Sequence, residues 1–267
     1  MMSGKNPDLA LWYNWRGSFT TTDYYTDVIP EWLIDFNENL NILGYRDSVW
    51  TTDLDPQLLA EYTHGDSFYG ESDRFEKTNY SPVFPIGFEA EWDDAKVRNE
   101  IASRPWMDRM TLELAATIVR ETDLGQDGTP DILNIGLSTM DLLAHYYGPF
   151  SHEVMDHLTR VDDYIMTFID FLDQEVGLEH VVFVLTADHG GLPLPEQWPH
   201  VQNNPGGRVD EELYLATRAK AYAELDSLYG NHDFIHRKGS SYYYDFAMMD
   251  TLGVQQAVVD SMLQTYM

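Results

Sequence analysis

The order of apolar and polar positions along the chain changes period several times, and each change marks an element. From Thr111, "TLELAATIVRE" carries apolar residues at helical spacing, "TDLGQDGTPD" is turn chemistry, and "DILNIGL" is a short, almost unbroken apolar run. That sequence predicts a helix, a connection and a strand buried on both faces. Ser151 stands at an N-cap, Glu153 falls in the first turn, and Val154, Leu158, Val161, Ile165, Phe168 and Leu172 follow as one stripe. The stripe predicts a long amphipathic helix ending near Gly177. "HVVFVLTADHGG" then returns to an apolar run that ends in glycines. Strand, helix, strand is a βαβ unit, with parallel strands and a right-handed crossover.

The flanks read differently. In residues 10–50, "LWYNWRGSFTTTDYY" predicts a strand or hairpin about Arg16-Gly17-Ser18, and "PEWLIDFNENL" a short helix with Pro30 near its first turn. Residues 51–105, punctuated by Pro56, Pro82, Pro85 and Pro105, read as mostly loop with short elements. After residue 192 a Pro/Gly-rich loop, "LPLPEQWPHVQNNPGGR", leads into helices "EELYLATRAKAYAELDSLYG" and "GVQQAVVDSMLQTYM" around an aromatic "SSYYYDF". No second βαβ unit and no repeat is visible. The chain therefore divides into an aromatic-rich peripheral segment, 1–106, an α/β core, 107–191, and a helical cap or insertion, 192–267.

Composition narrows the function. The 267 residues, 43% hydrophobic and 13% aromatic, suffice for a packed core, and no apolar run reaches the length of a membrane span. The first thirty residues show no secretory signal. Sixteen Lys and Arg against 45 Asp and Glu, net charge -29, exclude nucleic acid as the natural partner. With no cysteine, a transition-metal site would draw on Asp, Glu and the nine histidines. If the substrate is an anion, metal ions are the local positive charge that would draw it in.

Ligands of open parallel sheets bind beyond the carboxyl ends of the strands. Asp141 and His145 follow the first strand, one helical turn apart; Asp188 and His189 end the second. Two carboxylates and two imidazoles at one sheet edge suit Zn²⁺ and tolerate Mn²⁺. Adjacent residues in a strand point oppositely, so Asp188 and His189 fit two neighbouring ions as well as one. His152, His157 and His180 read as structural or exposed, and "DLGQDGTPDILN" as a turn, since its third and twelfth positions, Gly125 and Asn134, do not fit a calcium loop.

"DLLAHYYGPFSHEVMDHLTRVDDYI" followed by "VVFVLTADHGG" resembles the alkaline phosphatase superfamily, close to its type I phosphodiesterase/nucleotide pyrophosphatase branch and especially to bacterial phosphate-irrepressible alkaline phosphatases. "LWYNWRGSFTTTDYYTDVIPEWLIDFN" and "NNPGGR" resemble further segments of that group. The resemblance implies an α/β/α alkaline-phosphatase-like core, present in part, with two zinc ions: Asp141 and His145 on the first, Asp188 and His189 on the second. It implies a Thr or Ser nucleophile and another zinc-binding Asp upstream of this chain, and a later His that His200, His232 and His236 do not match. The expectation is an inactive internal piece of a periplasmic or secreted phosphate-ester hydrolase. Its substrate would be a small phosphate monoester, with a diester or nucleotide pyrophosphate as the alternative; sulfatases and phosphoglycerate mutases share the superfamily. The rival from another class is a non-catalytic divalent-metal-binding module.

Overall fold

The N-terminal aromatic segment turns at Gly17, whose φ of +89° suits glycine, and forms an antiparallel hairpin of β1 (Trp12–Asn14) and β2 (Ser18–Thr20). The chain is seen in a computed structural model that describes residues 7–71, 83–201, 205–239 and 241–266. Pro82 and part of "NNPGGR" lie outside the described residues. The side chain of Asn37 binds both backbone groups of Phe19, accepting at 2.7 Å and donating at 2.9 Å, and so ties the hairpin to α1 (Glu31–Asn39). Two short helices follow, α2 (Pro56–Tyr62) and α3 (Asp94–Glu100), N-capped by Asp55 and Asp93. Trp50 and Ile86 exchange backbone hydrogen bonds at 2.7 and 2.8 Å across the loops.

Phe19, Leu33, Ile42 and Ile101 share one buried cluster with Met107, Met110 and Leu114 of α4 (Trp106–Glu121). The aromatic segment and the helix after residue 106 are thus built on a common core. Next come α5 (Thr139–Tyr147), α6 (His152–Glu175) and a short α7 (Trp198–Val201). Ser151 caps α6 as its sequence predicts, accepting the Val154 N–H at 3.2 Å. Leu112, Ala115 and Val119 of α4 pack against Phe168 and Leu172 of α6. The apolar stripe holds there but not at the N-terminal end. Glu153, Val154, Asp156 and His157 are buried in the first turns while Leu158 is exposed.

The expected parallel strands need correction. Among the described residues the ladders are antiparallel hairpins, and residues 131–137 and 181–187 belong to neither. Ile135, Leu137 and Val181 pack on the α4–α6 core. Ile132, Val182, Val184 and Leu185 face outward, each at least 84% exposed. Parallel sheets persist when both faces are covered; here one face has helices behind it and the other has nothing among the described residues.

Two units emerge from the packing, Met1–Gly206 and Gly207–Met267. The break falls later than residue 192 because Leu194 and Gln197 are buried within the first unit. The second unit comprises α8 (Glu211–Tyr229), the antiparallel pair β3 (Ile235–Lys238) and β4 (Ser241–Tyr244), α9 (Phe246–Leu252) and α10 (Gln256–Tyr266). Ala221, Leu225, Phe234, Met249, Val259 and Leu263 make its core. The aromatic "YYY" is a strand whose alternate residues Tyr242 and Tyr244 turn inward, a period of two that a run of three tyrosines conceals.

Candidate metal centre

Helix α5 is fixed at both ends, and this decides where its polar face points. At its start Thr139 donates its N–H to Asp108 Oδ1 at 3.3 Å and its hydroxyl to the Ala102 carbonyl at 3.2 Å. Leu143 and Tyr147 are fully buried, so Asp141 and His145, four apart, occupy the opposite face. At its end Gly148 adopts φ +85°, and a Cβ there would collide with the side-chain amide of Gln197. That buried amide donates to the Tyr147 carbonyl at 3.1 Å and accepts from Leu194 N at 3.1 Å. The segment that leaves Asp188 and His189 is therefore anchored to the turn that ends α5.

Asp141 is the meeting point. Its Oδ1 lies 3.5 Å from His145 Nε2 and 3.6 Å from His189 Nε2; His189 Nε2 in turn lies 3.7 Å from Asp188 Oδ2. All four residues named from the sequence are linked in this way. Ligands sharing a zinc at roughly 2.0–2.1 Å bonds stand about 3.3 Å apart, so these pairs are near ligand spacing. No group of three or more among the described residues is gathered tightly enough to hold an ion as it stands. The side chains are solvent-exposed, which leaves them free to adjust. The Gly190 carbonyl, 3.1 Å from Nδ1, and then the charges of Asp188 and Asp141 raise the pKa of His189, so a metal there competes with a proton.

The other histidines are occupied elsewhere. His157 is buried with Nε2 2.9 Å from Asp108 Oδ2, a structural role in keeping with the sequence reading. His180 is exposed in a single 3₁₀ turn, Leu178–His180, and does not open a strand. His200 stacks on Tyr69 at 3.6 Å and His232 Nδ1 meets Asp226 at 2.6 Å. Sequence reasoning missed Asp108, which joins α4 to the start of α5 and to α6 through oppositely placed oxygens. It also missed the burial of Glu71 and Glu153. An acid inside an apolar stripe, as at Asp108 in "WMDRM", was the one signal available.

Comparison with known proteins gives the family. The pattern of type I phosphodiesterase / nucleotide pyrophosphatase matches residues 10–238. The chain belongs to that family. This type I phosphodiesterase/nucleotide pyrophosphatase relative is 30% identical over 259 residues to alkaline phosphatase PhoV of Synechococcus elongatus, covering 96% of the chain and 44% of PhoV. It is 31% identical over 189 residues to alkaline phosphatase PafA of Elizabethkingia meningoseptica, covering 70% of the chain and 34% of PafA. The crystal structure of wild-type PafA superposes with a TM-score of 0.77 at 25% identity, over 98% of this chain and 49% of that one. A substituted PafA gives 0.79 at 24% identity. The fold is accordingly the α/β fold of alkaline phosphatases, and the chain spans less than half the length of the relatives it matches. No helix among the described residues is long and apolar enough to cross a membrane.

Proposed function

We propose that the chain contributes half of a two-zinc site for hydrolysis of phosphate esters, with small monoesters the favoured substrates. One observation carries the reading: Asp141 stands within 3.6 Å of histidines from two separate segments, His145 on its own helix and His189 beyond α6. Two carboxylates and two imidazoles are a zinc donor set. Asp141 and His145 would hold one ion, Asp188 and His189 the other. Bound there, the ions would polarise a phosphoryl oxygen and favour the charged form of an attacking or leaving oxygen. The chain's part is to hold the ligands in place: Asp108 and Gln197 fix the two ends of α5, and His189 reaches Asp141 with Asp188 beside it. We assign no nucleophile among these residues and place the full enzyme in the periplasm or outside the cell. The family's diesterase members support a second reading, cleavage of diesters or nucleotide pyrophosphates.

The test is titration with Zn²⁺ followed by calorimetry, alongside p-nitrophenyl phosphate and bis-p-nitrophenyl phosphate assays. Weak Zn²⁺ binding should disappear in Asp141→Ala/His189→Ala, with negligible turnover of either ester. Unchanged binding in the double variant would refute the ligand assignment. Robust turnover dependent on Asp188 would refute the half-site reading.

A further inference from the structure

The first turn of α6 holds a fully buried carboxyl group. Glu153 is 0% exposed, and neither of its oxygens has a hydrogen bond. Burial pushes its pKa up to about 9; against this its own N–H pulls it down, Glu71 and Asp66 push it up, and the Ser151 hydroxyl pulls it down. Glu71, 1% exposed, accepts the Phe68 N–H through Oε2 at 2.7 Å, yet its Oε1 has no hydrogen bond. Burial, with Asp66 adding to it, pushes this acid up to about 7. Oδ1 of Asp66 is inaccessible and lacks a hydrogen bond as well. Two imidazoles stand around them: His64 Nε2 is 3.6 Å from Glu71 Oε1, and His152 Nδ1 is 3.2 Å from Asp66 Oδ1.

Folded proteins leave few buried polar atoms unsatisfied, and each such atom needs an explanation. Here four carboxylate oxygens from three acids lack a hydrogen bond, and two of them, Asp66 Oδ1 and Glu71 Oε1, face only an imidazole nitrogen, at 3.2 and 3.6 Å. Protonation would neutralise the acids one by one, and the single O–H that each gains can reach only one neighbouring oxygen. A cation would satisfy all of them at once. Oxygen-rich donors select hard ions, and a cavity of about 430 Å³ lined by His64, Gly65, His152 and the α2 residues Pro56, Leu59 and Ala60 lies against the two histidines.

We infer that Asp66, Glu71 and Glu153 form a binding site for a hard divalent cation of the Ca²⁺ or Mg²⁺ class, with His64 and His152 at its edge. The side chains do not yet surround a single point, so binding draws the carboxylates together by rotation of their side chains. The bound ion displaces the protons these acids carry, and affinity therefore rises with pH. The site shares no residue with the Asp141, His145, Asp188 and His189 set and does not depend on the phosphatase reading.

The experiment follows thermal unfolding of the full chain carrying Asp141→Ala and Asp188→Ala, at pH 8 after chelator treatment, with added CaCl₂ or MgCl₂. One of these salts should raise Tm by about 5 °C at roughly a hundred times Kd. Adding Glu153→Gln should abolish the rise, and Glu71→Gln should do the same. In chelator both variants should be at least as stable as the parent: Glu71→Gln removes a buried charge that repels its neighbours, and Glu153→Gln removes an acid that folding holds protonated at this pH. No rise at millimolar cation in the Asp141→Ala/Asp188→Ala chain overturns the site, whatever the glutamine variants do. A rise that survives both glutamine substitutions also overturns it, and assigns the effect to diffuse binding by a surface of charge -29. A rise seen only with Asp141 and Asp188 intact refutes this site and supports the other.

Discussion

Glu153 shows how far one residue's environment can depart from its sequence context. Its pKa is raised from the ordinary carboxylate value to about 9 in the folded chain, so between those limits the native state binds more protons than the unfolded state. Stability then falls as pH rises. In the presence of chelator, urea unfolding should show stability fully present near pH 4 and lost progressively up to about pH 9, by a few kcal/mol. Glu71 contributes to the lower part of that range. Glu153→Gln should flatten the profile, because glutamine does not titrate; an unchanged slope would mean that Glu153 is ionised and compensated in the native state. Nothing in "GPFSHEVM" announces this. A glutamate in the first turn after a serine N-cap ordinarily sits in water near the positive end of the helix dipole. Part of its raised pKa comes from the charges of Asp66 and Glu71, more than eighty residues earlier. Asp141 and His145 were legible because the constraint joining them is local, one turn of helix.

At the scale of elements, the N-cap at Ser151 is a direct test of how α6 is specified. Ser151→Ala removes the acceptor for the Val154 N–H and should destabilise the chain by about 1 kcal/mol. Ser151→Asn, which can still cap, should recover much of that in the same urea titration. Equal losses in the two variants would show that the buried hydroxyl acts through packing. The helices were readable because their caps and periods are written into short windows: Asp55, Asp93, Ser151, Asp210 and Asp245 all cap through their side chains. The apolar runs at 131–137 and 181–187 were readable as extended segments but not as a sheet. Strand pairing is decided by what lies alongside, and Ile132, Val182 and Val184 have no strand paired beside them among the described residues. The hairpin of β3 and β4 was missed for the converse reason. Its register, Ile235 opposite Tyr244 through Lys238 opposite Ser241, supplies an order that the sequence pattern lacks. His189 nonetheless lies beside Asp141, with Asp188 next to it, since both extended segments pack on the same pair of helices whether or not they hydrogen-bond to each other.

For the whole molecule, two properties pull in opposite directions. The extended segments leave a cleft of about 820 Å³ against α4 and α6, with Val182, Val184 and Leu185 almost fully exposed beside it. Contiguous apolar surface of this kind drives association. A net charge of -29 opposes it by repulsion between copies. Salt screens the repulsion, with a Debye length near 10 Å at 0.1 M falling to about 3 Å at 1 M, and leaves the hydrophobic attraction in place. Sedimentation velocity should therefore show mostly monomer at low salt and concentration-dependent assembly as NaCl approaches 1 M, with strong fluorescence of an anilinonaphthalene dye throughout. Val182→Glu/Val184→Glu should lower the dye signal and keep the chain monomeric in high salt, with the helical circular dichroism unchanged. Those two side chains are almost fully exposed at the edge of the cleft, so their replacement tests the open face and not the fold. Weak dye binding by the unsubstituted chain would show that this face is closed in solution. Assembly that persists in the double variant would place the contact on another surface.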